Sequence, residues 1–385
     1  MSFTRVVFEE FRAIFTNIPV IFVVIVGSFL YAFLYPAPYK NNIVQSQKIV
    51  VVDNDNTTLS KKLIFLVQAS AEVDVDKVTS SMKKAQELLN QGKVYGILQI
   101  PNGFEASVYR HIPVEVFYLA NASYFLIYGA VIDGIHRAVE EFSANIKLRR
   151  LLFEGKSQNE DIDLIVRDSI PLYNPTVGYI NYALAAILVF ILHQTLIAGA
   201  GILGATQNEQ NLKGIKGYWN EIGGLKLVLA RMFAFFCIYV VLFLLYFGFL
   251  FQLYGVNIGA DIVSFWCFSA IFILCCASFG TLLGLLINHP ALPTQIVLIS
   301  SLPLIFMMGF IWPLELLPKP IVWAIHFIPA FEGVNGFIRI NQMGADLHLV
   351  MNDFFWLLGL CIGCVMICVL VIRQKMGNVN DSEKR

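Results

Sequence analysis

Long apolar stretches alternate with short polar connections over most of the chain. A helix needs about 20 mostly apolar residues to cross a bilayer. The sequence contains six such stretches, at residues 18–35, 178–205, 226–253, 263–287, 295–312 and 351–372. The first is followed by "YPAPYKNN", which lacks a small-residue cleavage site, so we interpret it as a span and not as a signal peptide. The pattern predicts six transmembrane helices.

The residues before the first stretch have the spacing of an amphipathic helix. One face is apolar, with Phe3, Val6, Val7, Phe11, Ile14 and Phe15. The opposite face is charged, with Arg5, Glu9, Glu10 and Arg12. This arrangement predicts a helix that lies in the membrane interface and leads into the first span. The alternative is a frayed start of that span.

Residues 36–176 have the pattern of a water-soluble domain. Three strands are predicted, at 48–53, 94–100 and 113–120. Helices are predicted after the first strand, at 80–92 and from Ser123 to about Leu152. Strands that alternate with helices favour a small α/β domain, inserted between spans one and two. Within it, "DNDN" (53–56) predicts a strand-end turn in preference to a calcium loop, because the glycine and distal glutamate of an EF-hand are missing.

Residues 313–345 are apolar but carry many helix breakers. Pro313, Pro318, Pro320 and Pro329 divide them into short helices around "PIVWAIHFI" and "FEGVNGFIR". Non-helical backbone at membrane depth is tolerated where protein or a water-filled cavity covers it. We therefore predict a re-entrant helical pair before the last span, with Glu315 and Glu332 near water, that caps a pathway.

Composition and charge support a membrane protein. Of the 385 residues, 57% are hydrophobic and 14% are charged, whereas soluble domains carry about 25% charged residues. The net charge of zero gives no indication of nucleic-acid binding. Nine basic residues flank the spans on one side, and only Lys319 and Arg339 lie in the short connections opposite. The positive-inside rule then predicts cytoplasmic termini, with residues 36–176 facing outward and lipid around the spans.

Catalytic and metal-binding motifs are not found in the sequence. It has no phosphate-binding loop, no HExxH and no GxSxG, so we predict no catalytic residue, no metal and no directly bound cofactor. His193 is the one histidine well inside a span. It is either a polar group of a transport pathway or a neutral histidine that is hydrogen-bonded to a neighbouring helix. Glycines at helix-packing spacing occur in "GAGILGA", "GTLLG" and "GLCIG".

Several segments together resemble the permeases of the ABC-2 type, in the subgroup with an extracytoplasmic domain between spans one and two. "VVDNDNTTLSKKL" and "GKVYGILQIPNGFEASV" resemble the opening and a later strand of that domain. "LYNPTVGYINY" (172–182) resembles the entry to span two. The block from Met308 to Gly344 has Gly309, Pro313, Pro318, Pro329 and Gly344 in the family's order.

The resemblance implies an α-helical exporter subunit without an ATPase of its own. It divides the chain into an interfacial helix and first span (1–35), an extracytoplasmic domain (36–176) and a five-helix transmembrane domain (177–385). Two copies, or this chain and a paralogue, would form the pathway in a bacterial inner membrane. Cytosolic ABC ATPase subunits that use ATP would dock on residues 206–224 through Glu209, Lys213 and Trp219.

The same resemblance implies that the outer gate is formed by residues 313–345, with Gly309 just before them and Pro313, Glu315, Pro318, Pro329 and Glu332 within them. In Gram-negative relatives it also implies a periplasmic adaptor that leads to an outer-membrane channel. Alternatives are an ion-coupled transporter, with His193 as its best candidate residue, and a membrane sensor whose outward domain binds a ligand or partner. A membrane-embedded enzyme would need clustered catalytic groups, and the sequence shows none.

Overall fold

A computed structural model describes residues 1–39, 44–110, 112–154, 172–174 and 178–383. The chain divides into two compact units. The first, called the helical unit here, comprises Met1–Lys40 and Pro171–Arg385, and the second, called the sheet unit, comprises Asn41–Ile170.

The helical unit contains nine α-helical segments among its described residues, some with π-helical turns, besides short 3₁₀ turns. They are α1 (Phe3–Thr16), α2 (Ile18–Leu34), α7 (Ile180–Leu212), α8 (Gly224–Tyr254), α9 (Ile262–Leu286), α10 (Leu292–Met307), α11 (Lys319–Ile325), α12 (Pro329–Gln342) and α13 (Met351–Glu383). Four segments are long and apolar enough to cross a membrane, and the number rises to six if each of two bent pairs counts as one span. The protein is therefore a membrane protein with helical spans, and the count of six spans stays a prediction. The predicted fifth span is a helix of only 16 residues, α10.

The first two helices meet at an angle of 82°. Asn17 separates them, and its side-chain oxygen accepts a hydrogen bond from the N–H of Val20 at 3.3 Å, which caps α2. The residues before the first span thus form a helix of their own and not a frayed start of that span. One assignment was wrong: Glu10, placed on the charged face, is buried together with Val6 and Ile14.

The central helix of this unit is α7, which is almost completely covered by its neighbours. Small residues, which the sequence places at helix-packing spacing, allow that packing. A Cβ on Gly204 would lie 3.0 Å from Gly284 of α9, and one on Gly280 would lie 2.8 Å from the carbonyl oxygen of Ile197. Gly363, in the third glycine motif, has no atom of the described residues this close, so no such packing is seen there.

The sheet unit is a four-stranded mixed sheet with helices. Its elements are β1 (Gln47–Asp53), α3 (Thr58–Ala69), β2 (Val73–Thr79), α4 (Met82–Asn90), β3 (Gly96–Ile100), α5 (Phe104–Tyr109), β4 (Phe117–Ala120) and α6 (Phe125–Glu154). The order is β2-β1-β3-β4, with β1 parallel to both neighbours and β4 antiparallel to β3. The three predicted strands are present, and β4 is shorter than predicted. The pattern missed β2, an edge strand in which only the first residue is buried.

The residues of β1 alternate between two apolar cores. Ile49 and Val51 lie in the larger core, which α3 and α6 complete. Val50 and Val52 lie in the smaller core with Ala85 of α4. Burial on both faces is what a continuous run of β-branched residues predicts.

The turn after β1 is confirmed by its hydrogen bonds. One oxygen of Asp53 accepts from the N–H groups of Asp55 and Asn56, at 3.0 and 2.9 Å. The carboxylate of Asp55 accepts from the N–H groups of Gly103 and Phe104, at 2.7 and 3.1 Å, where α5 begins. These oxygens stabilise backbone groups of a turn and of a helix start.

Candidate functional site

An ion pair is buried at the end of the helical unit that carries the 206–224 loop. Arg231 of α8 donates to Glu10 of α1 through Nε at 2.8 Å and through Nη2 at 3.0 Å. Both side chains are excluded from solvent, at 1% and 0% exposure. A two-bond contact of this kind fixes the orientation of both side chains. The interfacial helix is therefore joined to a long helix of the bundle.

Two further side chains complete this contact. Gln207, near the end of α7, accepts from Arg231 at 2.5 Å. The hydroxyl of Tyr218, in the loop, donates to Glu10 at 2.9 Å and accepts from Gln207 at 3.2 Å. Burial, and then the negative charge of Glu10, raises the pKa of Tyr218, so its hydroxyl remains a neutral donor. We call Glu10, Gln207, Tyr218 and Arg231 the buried polar network.

The next residue of α7 forms a second connection. The Asn208 amide donates to the carbonyl oxygens of Gly284, Leu285 and Ile287, at 2.8, 3.1 and 2.7 Å. Lys375 of α13 donates to Asn208 at 3.0 Å and to Leu285 at 2.6 Å. These donors satisfy carbonyl groups left open at the end of α9. The end of α7 is thereby fixed to α8, α9 and α13.

The predicted docking residues lie beside this network without forming one cluster. Lys213 donates to Glu209 at 2.8 Å as a surface pair one helical turn apart. The indole N–H of Trp219 donates to Asn211 at 2.9 Å, and the ring contacts Tyr218 edge-on at 5.3 Å. Their role in docking stays a prediction. Sequence reasoning missed Glu10 and Gln207 and gave Arg231 no partner, although a charge inside an apolar stretch indicates a buried counter-charge.

The proline-rich segment forms the predicted pair of short helices. Pro318 and Pro329 stand at the starts of α11 and α12, which are bent by 84° relative to each other. Pro313 precedes a single 3₁₀ turn. Gly309 has φ +86°, a left-handed conformation that favours glycine. The helix pair is confirmed, and its re-entrant path through the membrane stays a prediction.

The two glutamates of this segment have opposite environments. Glu315 is exposed, as predicted. The prediction for Glu332 was wrong, because its side chain is only 3% exposed and is paired with His326 Nδ1 at 2.5 Å. His326 lies across the bend, at the end of α11, and its ring stacks on Trp356 with centroids 5.4 Å apart. A partner close in sequence made burial of this acid possible.

A second ion pair joins the same segment to the last long helix. Arg339 of α12 donates to Asp353, in the first turn of α13, at 3.0 Å. His326, Glu332 and Asp353 line one open cavity of about 530 Å³. We call His326, Glu332, Arg339 and Asp353 the bend cluster. It fixes α12 both to α11 and to α13.

Next to the bend cluster, α12 packs among mostly buried aromatic rings. The ring of Phe337 lies 5.3 to 5.7 Å from those of five other phenylalanines: Phe243, Phe247, Phe265, Phe268 and Phe272. Gly333 and Gly336 make the approach possible, since a Cβ on either would lie 2.1 Å from a phenylalanine ring. This helix also packs against α7. The buried polar network beside the 206–224 loop and the bend cluster are thus connected through α7 and α12.

His193 lies in the same apolar core, 1% exposed. Its ring stacks between those of Phe190 and Phe272, at 5.9 and 6.4 Å. Among the described residues, neither ring nitrogen has a hydrogen-bond partner, so the predicted bond to a neighbouring helix is not formed there. Its role in a pathway stays a prediction.

The described residues contain no group of three or more histidine, cysteine or acidic side chains placed to hold a metal ion.

Comparison with known proteins gives one family. A family model described as ABC-2 family transporter protein matches residues 11–370, which include most of both units. No curated protein matches the chain.

Proposed function

Since the chain belongs to the ABC-2 family of transporter proteins, we propose that it is the permease subunit of an exporter driven by separate cytosolic ABC ATPase subunits. The pathway forms between two copies of the chain or between it and a paralogue. The termini and the 206–224 loop lie in the cytoplasm of a bacterial cell, and residues 36–176 lie outside its inner membrane. ATP is bound by the partner ATPase and not by this chain.

The buried polar network is the observation that carries this proposal. A force on the loop acts on Tyr218, whose hydroxyl is bonded to Glu10 and Gln207. Glu10 and Arg231 cannot separate without leaving a buried charge unpaired, which is costly. The loop, α1, α7 and α8 therefore move together when an ATPase pushes the loop. Rigid-body movement of packed helices is a common form of transport switching.

The bend cluster is the proposed outer gate. Movement of α7 reaches α12, against which it packs. Opening then requires the pairs His326–Glu332 and Arg339–Asp353 to separate, because they fix α12 to its neighbours. An adaptor, where one is present, would receive the cargo beyond this gate.

The decisive experiment is purification of the tagged full-length chain from its own membranes in mild detergent, with bound proteins identified by mass spectrometry. We expect a stoichiometric ABC ATPase, together with a second permease copy or a paralogue. Alanine at Glu209, Lys213 and Trp219 together should remove the ATPase and leave the permease folded. An intact complex by size that contains no ATPase would contradict the proposal.

An ion-coupled transporter is the second candidate, favoured by buried His193, whose ring nitrogens have no hydrogen-bond partner among the described residues. Ion coupling through this residue predicts that His193→Phe abolishes transport while the protein stays folded. Transport that survives the substitution and still requires ATP would exclude this candidate.

A further inference from the structure

A cavity of about 520 Å³ opens at the end of the helical unit where α8 begins. Its apolar wall includes Phe3 of α1, Leu229 of α8 and Val369 of α13. Lys226 and Arg373 also line it, and none of its described lining residues is acidic. The cavity therefore combines an apolar surface with two positive charges.

Both cations have hydrogen-bonding capacity left. The ammonium of Lys226 donates to the carbonyl oxygen of Met1 at 2.8 Å, and two N–H donors remain. Arg373 is exposed and has no ion-pair or hydrogen-bond partner among the described residues. The first turn of α8 lines the same cavity and has no side-chain cap, so it adds the positive end of a helix dipole.

Only one class of ligand uses both features of this cavity. A soluble anion would use the cations and leave the apolar wall exposed, and an uncharged lipid would use the wall alone. An anionic phospholipid has a phosphate group for the cations and an acyl chain for the wall. We propose that the cavity binds one anionic phospholipid, with its phosphate at Lys226 and Arg373 and an acyl chain along Phe3, Leu229 and Val369.

Such a lipid would also support the buried polar network. It would contact α1, α8 and α13 together, and α1 and α8 carry the two partners of the Glu10–Arg231 pair. The lipid would therefore hold the interfacial helix against the bundle. This role does not depend on which cargo is exported or on the identity of the ATPase.

The test uses the full-length protein, delipidated in mild detergent and titrated with palmitoyl-oleoyl phosphatidylglycerol while native mass spectrometry counts bound lipids. We expect tighter binding than for the phosphatidylcholine with the same chains. Because a cation near a membrane surface contributes roughly 1 kcal/mol to binding an anionic lipid, Arg373→Ala should weaken binding about fivefold and Lys226→Ala with Arg373→Ala about 25-fold.

Two control variants distinguish a specific lipid-binding site from nonspecific attraction of the lipid to positive charge. Lys226→Arg with Arg373→Lys should retain binding, and Lys84→Ala with Arg110→Ala, on the sheet unit, should leave it unchanged. Arg373→Ala is the deciding single variant, because Lys226 also holds Met1. Unchanged affinity in Arg373→Ala, equal binding of the choline lipid, or displacement by millimolar inorganic phosphate alone would overturn the proposal.

Discussion

The acid–base pairs of the buried polar network and of the bend cluster differ in which partner is buried. In the buried polar network, Glu10 and Arg231 are 0% and 1% exposed. In the bend cluster, the acids Glu332 and Asp353 are 3% and 6% exposed, but their bases, His326 and Arg339, are 30% and 45% exposed. Each base of the bend cluster can therefore exchange its acid for water, whereas Arg231 cannot.

This difference suits the two ends to different tasks. A pair without access to water separates only at the cost of unpaired charge in an apolar environment, so it acts as a fixed joint. A pair with one solvated partner contributes less to stability and separates more readily. Under the proposed function, the force from the ATPase would enter at the buried polar network, and the contacts proposed to open are those of the bend cluster.

The largest expected effect is the loss of one partner of the fixed joint. Arg231→Met leaves Glu10 buried without its cation and should lower the free energy of unfolding by about 3–5 kcal/mol. The thermal unfolding midpoint of the detergent-purified protein measures this. Glu10→Leu combined with Arg231→Met should lose less than the single substitution, because an apolar pair replaces the stranded charge.

Lys213→Ala is the control, at the same end of the helical unit. It removes a cation from a solvent-exposed pair with Glu209, and such pairs contribute little to stability. If Arg231→Met unfolded at the same temperature as Lys213→Ala, the fixed joint would not exist.

In the bend cluster, substitution of His326 and substitution of Glu332 should cost unequal amounts of stability. His326→Ala removes the ring that is hydrogen-bonded to the buried side chain of Glu332, at a cost of about 1–3 kcal/mol. Glu332→Gln leaves a base that is already partly solvated, and the amide can still bond to the ring, so the loss should be smaller. Unfolding midpoints of the two variants give the order, and the reverse order would show that the acid is the solvated partner.

The packing of α12 among the phenylalanine rings should depend on its glycines, and so should the stability of the protein. Gly336→Ala places a Cβ 2.1 Å from the ring of Phe268, which is itself fully buried and cannot move aside. Overpacking of this kind costs about 1–3 kcal/mol, which exceeds the gain in helix propensity. Gly363→Ala, in open space on α13, is the control and should be neutral or slightly stabilising. Equal midpoints for the two variants would mean that α12 is not held by these rings.

The sequence was informative where a single periodicity decides the structure. Apolar stretches predicted the long helices, the run of β-branched residues predicted β1, and prolines predicted the bend between α11 and α12. It was wrong about Glu10, because helical periodicity assigns every charge to the water-facing side. The partner that reverses this assignment, Arg231, lies 221 residues away. Glu332 was misplaced for a different reason: it was put near water because its segment was predicted to dip into the membrane from outside, and its pairing with His326, six residues away, was not predicted.

A third kind of carboxylate, in the sheet unit, is satisfied by the backbone and not by a base. Burial alone raises the pKa of Asp55, but hydrogen bonds from Thr57 and from the N–H groups of Glu105, Gly103 and Phe104 outweigh it, and the pKa lies below its ordinary value. Stabilisation from a lowered pKa is complete above the ordinary aspartate pKa of about 4 and is lost as the pH falls through the lower folded-state value.

Asp55→Asn should therefore have the smallest effect of the series, and a pH-dependent one. We expect a loss of about 1 kcal/mol at pH 7, because a neutral amide accepts weaker hydrogen bonds at the start of α5. The difference from the unsubstituted protein should shrink as the pH falls below about 4 and through the lower folded-state pKa, at which Asp55 of the folded protein becomes protonated. Asp76→Asn removes a more exposed carboxylate, 3.6 Å from Lys48, and is the control. A constant difference between pH 7 and pH 3 would mean that the charge of Asp55 does not stabilise this turn.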